Sequence, residues 1–429
     1  MGKTIYNEHL REELVYHRLK NGLKIYILVK PGYSRQFAIY AARYGSNDSQ
    51  FVPLGAKEPI VVPDGIAHFL EHKLFEEEEG NVFQEYSGLG AQPNAFTNFN
   101  MTAYHFTSTG KFHKCLDVLL GFVGRPYFTD ENVEKEKGII AQEIGMYQDN
   151  PYWRTFSNLL KGMYHSYPVK MDIAGTVESI SKIDKEILYE CYRTFYNPSN
   201  MVLFLAGDID PDRIINQVEK LFDGKPKSKA EGEIERIFPK EKKGVSKHKI
   251  VDKLAVSMPM FALGFKDRDV TQGGERLLKK IVANEIILDM LAGPSSETYN
   301  ELYDEGLIDS SFDTGYTGEV NYGYSVISGQ SRDPEGVASV LYEKIKELKY
   351  KPWEQEHFDR IRKKKIGEVI RLFNTLDSVS IQFVSMGFKD IALFDYLRGI
   401  ETAGFEDIIK EFNQLYREDS STLSVILSN

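Results

Sequence analysis

Cysteine is scarce in this sequence. Cys115 and Cys191 are the only two among 429 residues, which is too few for a disulfide framework. Both lie in stretches with the apolar periodicity of amphipathic helices, so we expect reduced, buried side chains that act as small hydrophobes. The residues after Met1 also lack the apolar segment of a secretory signal. These absences predict a cytoplasmic protein.

Two further absences argue against other classes of function. No run of 18 uncharged apolar residues is present, so we expect no membrane-spanning helix and no membrane partner. Acidic residues outnumber basic ones by 63 to 53, for a formal net charge of −10, which argues against a nucleic-acid partner. The remaining composition, 42% hydrophobic and 27% charged, is typical of a globular protein, and the length suggests two or more domains.

Histidine is also rare, with nine residues in the chain, yet two of them stand close together. His68 and His72 form the pattern H-x-x-E-H within an apolar stretch. In a helix, residues four apart project from one face, and two neutral imidazoles placed in this way can bind one Zn²⁺ ion. Glu71 leans toward the same face and suits a base that takes a proton from water, and this inverted order occurs among metallopeptidases. The structural alternative is a surface helix that happens to carry two histidines.

A second predicted helix, from Asp130 to Tyr147, carries the candidate third ligand. Glu136 and Glu143 are seven residues apart, so they share one face of this helix two turns apart. Glu143 lies among mostly apolar residues, and a carboxylate pressed toward a core is costly unless a cation meets it. That cation is a zinc ion in the functional interpretation and a lysine or arginine in the structural one.

The second half of the sequence resembles the first. Residues 180–205 align without a gap onto residues 400–425, an offset of 220, which predicts a tandem duplication of an α+β unit. We predict an N-terminal domain at 1–222, a charged linker at 223–248 rich in Lys, Glu, Gly and Pro, and a C-terminal domain at 249–429. At the same offset the H-x-x-E-H positions carry two leucines and an alanine, so we expect one metal site per chain.

Four motifs carry a resemblance to a known family. They are the stretch from Gly65 to Phe75, Asn94-Ala95-Phe96-Thr97, the segment from Glu134 to Glu143, and Ile173-Ala174-Gly175-Thr176. With them the chain resembles, over nearly its whole length, the pitrilysin-type inverzincin peptidases, which include insulin-degrading enzyme and the mitochondrial processing peptidase. It is most similar to the shorter, two-domain bacterial members. The resemblance implies an α+β fold of two homologous domains, each a mixed or antiparallel sheet covered by helices, that pairs with a second chain like a clamshell around a chamber.

The same resemblance implies roles for individual residues. It implies that His68, His72 and Glu143 bind zinc, that Glu71 is the general base, and that Glu136 supports the site without ligating the metal. The family lays its substrate as an added strand along a sheet edge, and the residues here that match this edge are Asn94, Ala95, Phe96 and Thr97. The implied function is hydrolysis of unfolded peptides inside the chamber.

One departure from the family pattern bears on partners. Active members carry an Arg and a Tyr in the second half that help to hold substrate at the zinc, and the matching positions here are Tyr303 and Asp309. We therefore expect a heterodimer with a paralogous chain that carries the Arg/Tyr pair and lacks the zinc motif. A homodimer is the alternative.

Two other functions compete with the peptidase. A catalytically silent family member that serves as a structural or partner subunit would lack part of the metal set, whereas all four key positions are present here. The lyase that cleaves S-ribosylhomocysteine also uses H-x-x-E-H, but it is much shorter and takes a cysteine as third ligand. Cys115 and Cys191 lie in unsuitable helical contexts. Metal content and peptide cleavage distinguish these interpretations.

Overall fold

Both halves of the chain contain strands and helices in the computed structural model, which describes residues 2–78, 80–223, 234–269, 272–351 and 353–429. The elements of the first half are β1 (Lys3–Asn7), β2 (Glu12–Arg18), β3 (Lys24–Val29), β4 (Gln36–Ala42), β5 (Gln50–Phe51), β6 (Ile60–Val61), α1 (Ile66–Leu74), β7 (Glu76–Glu77), β8 (Gly80–Asn81), α2 (Val82–Leu89), β9 (Gln92–Thr97), β10 (Thr102–Ser108), α3 (Phe112–Val123), α4 (Asp130–Asp149), α5 (Pro151–Met163), α6 (Val177–Ile180), α7 (Lys185–Phe195), β11 (Met201–Gly207) and α8 (Pro211–Phe222). The elements of the second half are β12 (Lys249–Leu254), β13 (Met260–Lys266), α9 (Glu275–Ala292), α10 (Glu297–Asp304), β14 (Asp313–Glu319), β15 (Tyr322–Gln330), α11 (Pro334–Leu348), α12 (Gln355–Leu372), α13 (Leu376–Gly387), α14 (Leu393–Glu401), α15 (Phe405–Leu415) and β16 (Ser421–Ser428). Of the predicted linker, residues 224–233 lie outside the described residues. Among the described residues, no helix has both the length and the apolar character that crossing a bilayer would require; the predicted compartment stays a prediction.

The chain forms two compact units. Unit 1 comprises Met1–Ile144, Met171–Phe238 and Leu372–Ser385, and unit 2 comprises Gly145–Lys170, Pro239–Arg371 and Met386–Asn429. Each unit thus includes a helical segment from the other half of the sequence, since α5 belongs to unit 2 and most of α13 belongs to unit 1. The predicted domain boundaries follow the sequence repeat and stay a prediction.

Unit 1 is built on a seven-stranded mixed sheet with the strand order β1-β2-β3-β11-β4-β10-β9. β3 and β11 are parallel, and every other neighbouring pair is antiparallel. The central strands β4 and β11 are apolar and almost entirely buried, as expected of strands that are covered on both faces. α13 packs against this sheet through Phe383, whose ring centroid lies 4.7 Å from that of Tyr26 and 4.5 Å from that of Phe204.

Unit 2 is built on a five-stranded mixed sheet with the strand order β12-β16-β13-β15-β14. β12 and β16 are parallel and the other pairs are antiparallel, which repeats the succession β3-β11-β4-β10-β9 of unit 1. α5 packs closely on β13. A Cβ added to Gly264 of β13 would lie 3.0 Å from side-chain atoms of Leu159 and Met163 of α5, so a glycine at this position permits the close approach. The predicted α+β fold with two similar sheets is confirmed, and the clamshell pairing with a second chain stays a prediction.

Two glycines fix the start of α1. Gly65 is the N-cap of this helix with φ +93°, and a Cβ there would lie 2.4 Å from the carbonyl oxygen of Ala174. Gly175 has φ +75°, and its Cβ would lie 2.4 Å from the carbonyl oxygen of Asp64. The hydroxyl of Ser179 donates a hydrogen bond to the same Asp64 oxygen at 2.7 Å. Only glycine allows both the positive φ and the close approach of the two backbones.

Gly65→Ala should lower the free energy of unfolding of the protein by about 2 kcal/mol or more. A left-handed backbone costs a non-glycine residue roughly 1–2 kcal/mol, and the added methyl would overlap the Ala174 carbonyl. Gly88→Ala is the control, because Gly88 lies in α2 with open space around its Cβ position; this variant should gain up to about 1 kcal/mol. Chemical denaturation followed by circular dichroism measures both, and equal stabilities would contradict this account of α1.

Candidate metal centre

α1 is buried on almost all sides. Every one of its residues except His72 is buried, so the exposed helix of the structural alternative is wrong. His68 is 7% exposed and Glu71 is 8% exposed. Ionisable side chains that are buried to this extent require partners that offset the loss of water.

Three potential ligand atoms converge beside this helix. One atom each of His68, His72 and Glu143 lies within 4.8 Å of the others, and within the described residues this is the one such group of His, Cys, Asp and Glu side chains. Nε2 of His68 is 3.7 Å from Oε1 of Glu143, and Nε2 of His72 is 3.5 Å from its Oε2. Ligands at about 2.0–2.1 Å from a tetrahedral metal lie about 3.3–3.4 Å from one another. Both the separations and the donor set of two imidazoles and a carboxylate therefore fit a zinc ion.

Glu136 contacts the other ring nitrogen of His72. Its Oε1 lies 3.0 Å from Nδ1 of His72, while Nε2 of the same ring faces Glu143. This is the arrangement in which a carboxylate orients a metal-binding imidazole from behind. Lys73, which is 0% exposed, lies 3.8 Å from Oε2 of Glu136 and also pairs with Glu76. Lys73 was not among the predicted site residues, although a lysine next to His72 in the H-x-x-E-H segment was a signal.

The two histidines differ in their tendency to carry a proton. Burial, with the neighbouring His72, lowers the pKa of His68 to about 4, so this imidazole is neutral near pH 7. Burial also opposes a charge on His72, but its hydrogen bond to Glu136 and the charges of the surrounding carboxylates outweigh burial and raise its pKa. The His68 imidazole is therefore neutral and able to bind a metal ion, whereas His72 holds a proton more strongly than a free histidine.

Glu71 is held next to this group by a strand residue. Its Oε2 accepts a hydrogen bond of 2.6 Å from the hydroxyl of Thr97, the last residue of β9. Burial raises the pKa of Glu71, whereas the Thr97 hydrogen bond and His72 act in the opposite direction. A carboxylate with a raised pKa is a stronger proton acceptor, which suits a general base.

An open cavity of about 640 Å³ lies beside His72, one of the three candidate ligands. Its lining includes Glu71 and His72 of α1, Asn94 and Ala95 of β9, and Ile139 of α4. β9 is the last strand in the order of its sheet, and an edge strand presents unpaired backbone groups. The cavity therefore connects His72 and Glu71 to an edge on which a further strand could pair.

The structure brings most of the predicted site residues together, although it does not test their roles. The residues that contact one another or line the cavity are His68, Glu71, His72, Asn94, Ala95, Thr97, Glu136 and Glu143. Phe96 lies instead beside the neighbouring strand, where its ring centroid is 6.1 Å from that of His105.

Comparison with known proteins identifies the family. Residues 57–177 match the family model of Insulinase (Peptidase family M16), and residues 182–365 match that of the Peptidase M16 inactive domain. The protein named Uncharacterized zinc protease YmfH, from Bacillus subtilis (strain 168), is 42% identical over 430 residues, which cover 100% of this chain and 99% of that protein. The chain belongs to peptidase family M16.

Solved structures agree with the M16 fold. A protein from Alicyclobacillus acidocaldarius that is described as M16-like is 38% identical with a TM-score of 0.94, over 97% of this chain and 99% of that one. A protease from Helicobacter pylori shares the fold at 18% identity, with a TM-score of 0.83 over 99% of both chains. The predicted resemblance to the pitrilysin-type M16 peptidases is confirmed, and the three candidate ligands all lie in the first matched region.

Binding of zinc near pH 7 should release a proton from His72. The pKa of His72 is raised from 6.5, so this imidazole holds its proton more strongly than a free histidine, and a metal ion requires its free lone pair. Zinc affinity should therefore fall as the pH drops through this pKa. Calorimetry in buffers of different ionisation enthalpy counts the released protons. Glu136→Gln removes a carboxylate that raises the pKa and should lower that count; an unchanged count would contradict the assigned cause.

Proposed function

We propose that this chain is a zinc-dependent endopeptidase that hydrolyses unfolded peptides. The observation that carries the proposal is the convergence of His68, His72 and Glu143 on one point. Glu71 lies on α1 with the two histidines and is held beside them by a hydrogen bond. Membership of family M16 supports it, as does the name zinc protease given to the YmfH relative.

The residues of the site divide the chemistry among them. His68, His72 and Glu143 would hold zinc and leave a fourth position open, as catalytic sites do. Zinc bound there would polarise the scissile carbonyl and lower the pKa of water to about 7. Glu71 is positioned to accept the proton of the attacking water and to deliver it to the leaving amine. Help of this kind contributes roughly 10²–10⁴-fold to a rate.

The substrate would bind as an extra strand along β9. Asn94 and Ala95 of this edge strand line the same cavity as Glu71 and His72. The backbone hydrogen bonds of an added strand require an extended peptide, which a folded protein does not present. Unfolded peptides are therefore the proposed class of substrate.

The active assembly is proposed to include a paralogous chain. Tyr303 and Asp309 occupy the positions at which active members carry Arg and Tyr. Tyr303 is 53% exposed and stacks on Tyr299 with ring centroids 5.9 Å apart, and Asp309 accepts hydrogen bonds from the backbone nitrogen and hydroxyl of Ser311. Neither position offers the family's side chain, so a partner with Arg and Tyr would supply them; a homodimer is the alternative.

Glu71→Gln should retain zinc and lose activity by roughly 10²–10⁴-fold, because the amide keeps the shape of the carboxylate but accepts no proton. His68→Ala and Glu143→Ala should instead lose the metal. Elemental analysis and peptide cleavage with and without a chelator measure the two effects. Glu131→Gln, which alters an exposed glutamate on α4, is the control and should behave as wild type.

One outcome of these measurements would contradict the role of Glu71, and another would contradict the peptidase. Retained activity in Glu71→Gln would remove Glu71 from its role as general base. A wild-type protein without bound zinc and without peptide cleavage would favour the catalytically silent subunit.

Co-purification from the native host tests the partner. We expect a related chain that carries the Arg/Tyr pair, and we expect the rate of peptide cleavage by the complex to exceed that of this chain alone. Equal rates with and without any co-purified chain would contradict the heterodimer.

A further inference from the structure

Thr97 contacts the proposed general base, and we propose that it is a positioning residue for Glu71. This inference rests on the proposed peptidase function. The 2.6 Å bond from the Thr97 hydroxyl to Oε2 is, within the described residues, the one hydrogen bond that the Glu71 carboxylate accepts. Glu71 is 8% exposed, so bulk water does little to hold this carboxylate, and its orientation depends on Thr97.

A second threonine is the other possible acceptor for the Thr97 hydroxyl. Thr102 of β10 pairs with Thr97 across the two strands, and their hydroxyl oxygens are 3.2 Å apart. The Thr102 oxygen is also 2.9 Å from the carbonyl oxygen of Tyr44, which can only accept, so the single proton of Thr102 points there. The proton of Thr97 is directed to Glu71, because the carboxylate is the nearer acceptor and a charged one.

This arrangement leaves one oxygen of Glu71 for chemistry. Thr97 holds Oε2, whereas Oε1 accepts no hydrogen bond within the described part of the chain and remains for the reacting water. A base held in one orientation needs no rotation before it accepts the proton of the attacking water. A displacement of a catalytic group by about 1 Å can cost on the order of 10²-fold in rate. Thr97 also ends the strand on which the substrate is proposed to pair, so one residue connects the substrate edge to the base.

Thr97→Val tests the role, since it removes the hydroxyl and keeps the shape of the side chain. In zinc-loaded protein we expect kcat to fall about ten- to a hundredfold, with KM and bound zinc unchanged. Thr97→Ser keeps the hydroxyl and should recover most of kcat. Thr107→Val is the matched control and should keep the wild-type kcat, because Thr107 lies near the end of β10 that is remote from Thr102.

A second measurement is independent of catalysis. In metal-free protein, the melting temperatures of Thr97→Val, Glu71→Ala and the double variant form a mutant cycle. If Thr97 holds Glu71, Thr97→Val should lower the melting temperature more when Glu71 is present than when it is alanine.

The outcomes separate this inference from the function on which it rests. A wild-type kcat in Thr97→Val, equal defects in Thr97→Ser and Thr97→Val, or additive shifts in melting temperature would each overturn the positioning role while the peptidase stands. Failure of the zinc-loaded wild-type protein to cleave any peptide, alone and together with any co-purified chain, would instead overturn the peptidase, and the base role of Glu71 with it.

Discussion

The candidate metal site depends on charge balance among carboxylate and imidazole side chains that are largely buried. Glu71, Glu136 and Glu143 bring three carboxylates close to His68 and His72, and moving such groups out of water is costly unless opposite charge compensates. Lys73 offsets part of this charge in the metal-free protein, and the hydrogen bond between His72 and Glu136 raises the pKa of His72, which favours its positive charge. A divalent cation between the ligand atoms would offset more of it, and this explains why acidic and imidazole groups can occupy a region that is otherwise apolar.

In unit 2, ion pairs balance charge between the corresponding helices. At the 220-residue offset, α1 and α4 correspond to α9 and α12. There, Asp289 of α9 forms ion pairs of 2.8 Å with Lys364 and 2.9 Å with Lys365 of α12. Lysine–carboxylate pairs thus connect the helices whose counterparts in unit 1 carry the candidate zinc ligands. This agrees with the description of the second matched region as an M16 inactive domain.

Part of this arrangement could be predicted from the sequence. The helical period places His68 and His72 on one face, and the 220-residue offset revealed the repeated sheet. The contact of Thr97 with Glu71 could not be predicted, because it depends on how β9 lies against α1, and local periodicity carries no such information. Periodicity shows that α5 and α13 have apolar faces, but it does not show that each packs in the unit formed mainly by the other half.

Two imidazoles and one glutamate from separate helices are proposed to hold a single zinc ion. Anomalous diffraction at the zinc absorption edge, from crystals of the purified chain, would locate this ion. We expect one zinc peak about 2.0–2.2 Å from Nε2 of His68, Nε2 of His72 and a carboxylate oxygen of Glu143. A map without zinc at this position, or one in which Glu143 turns away toward a basic side chain, would contradict it.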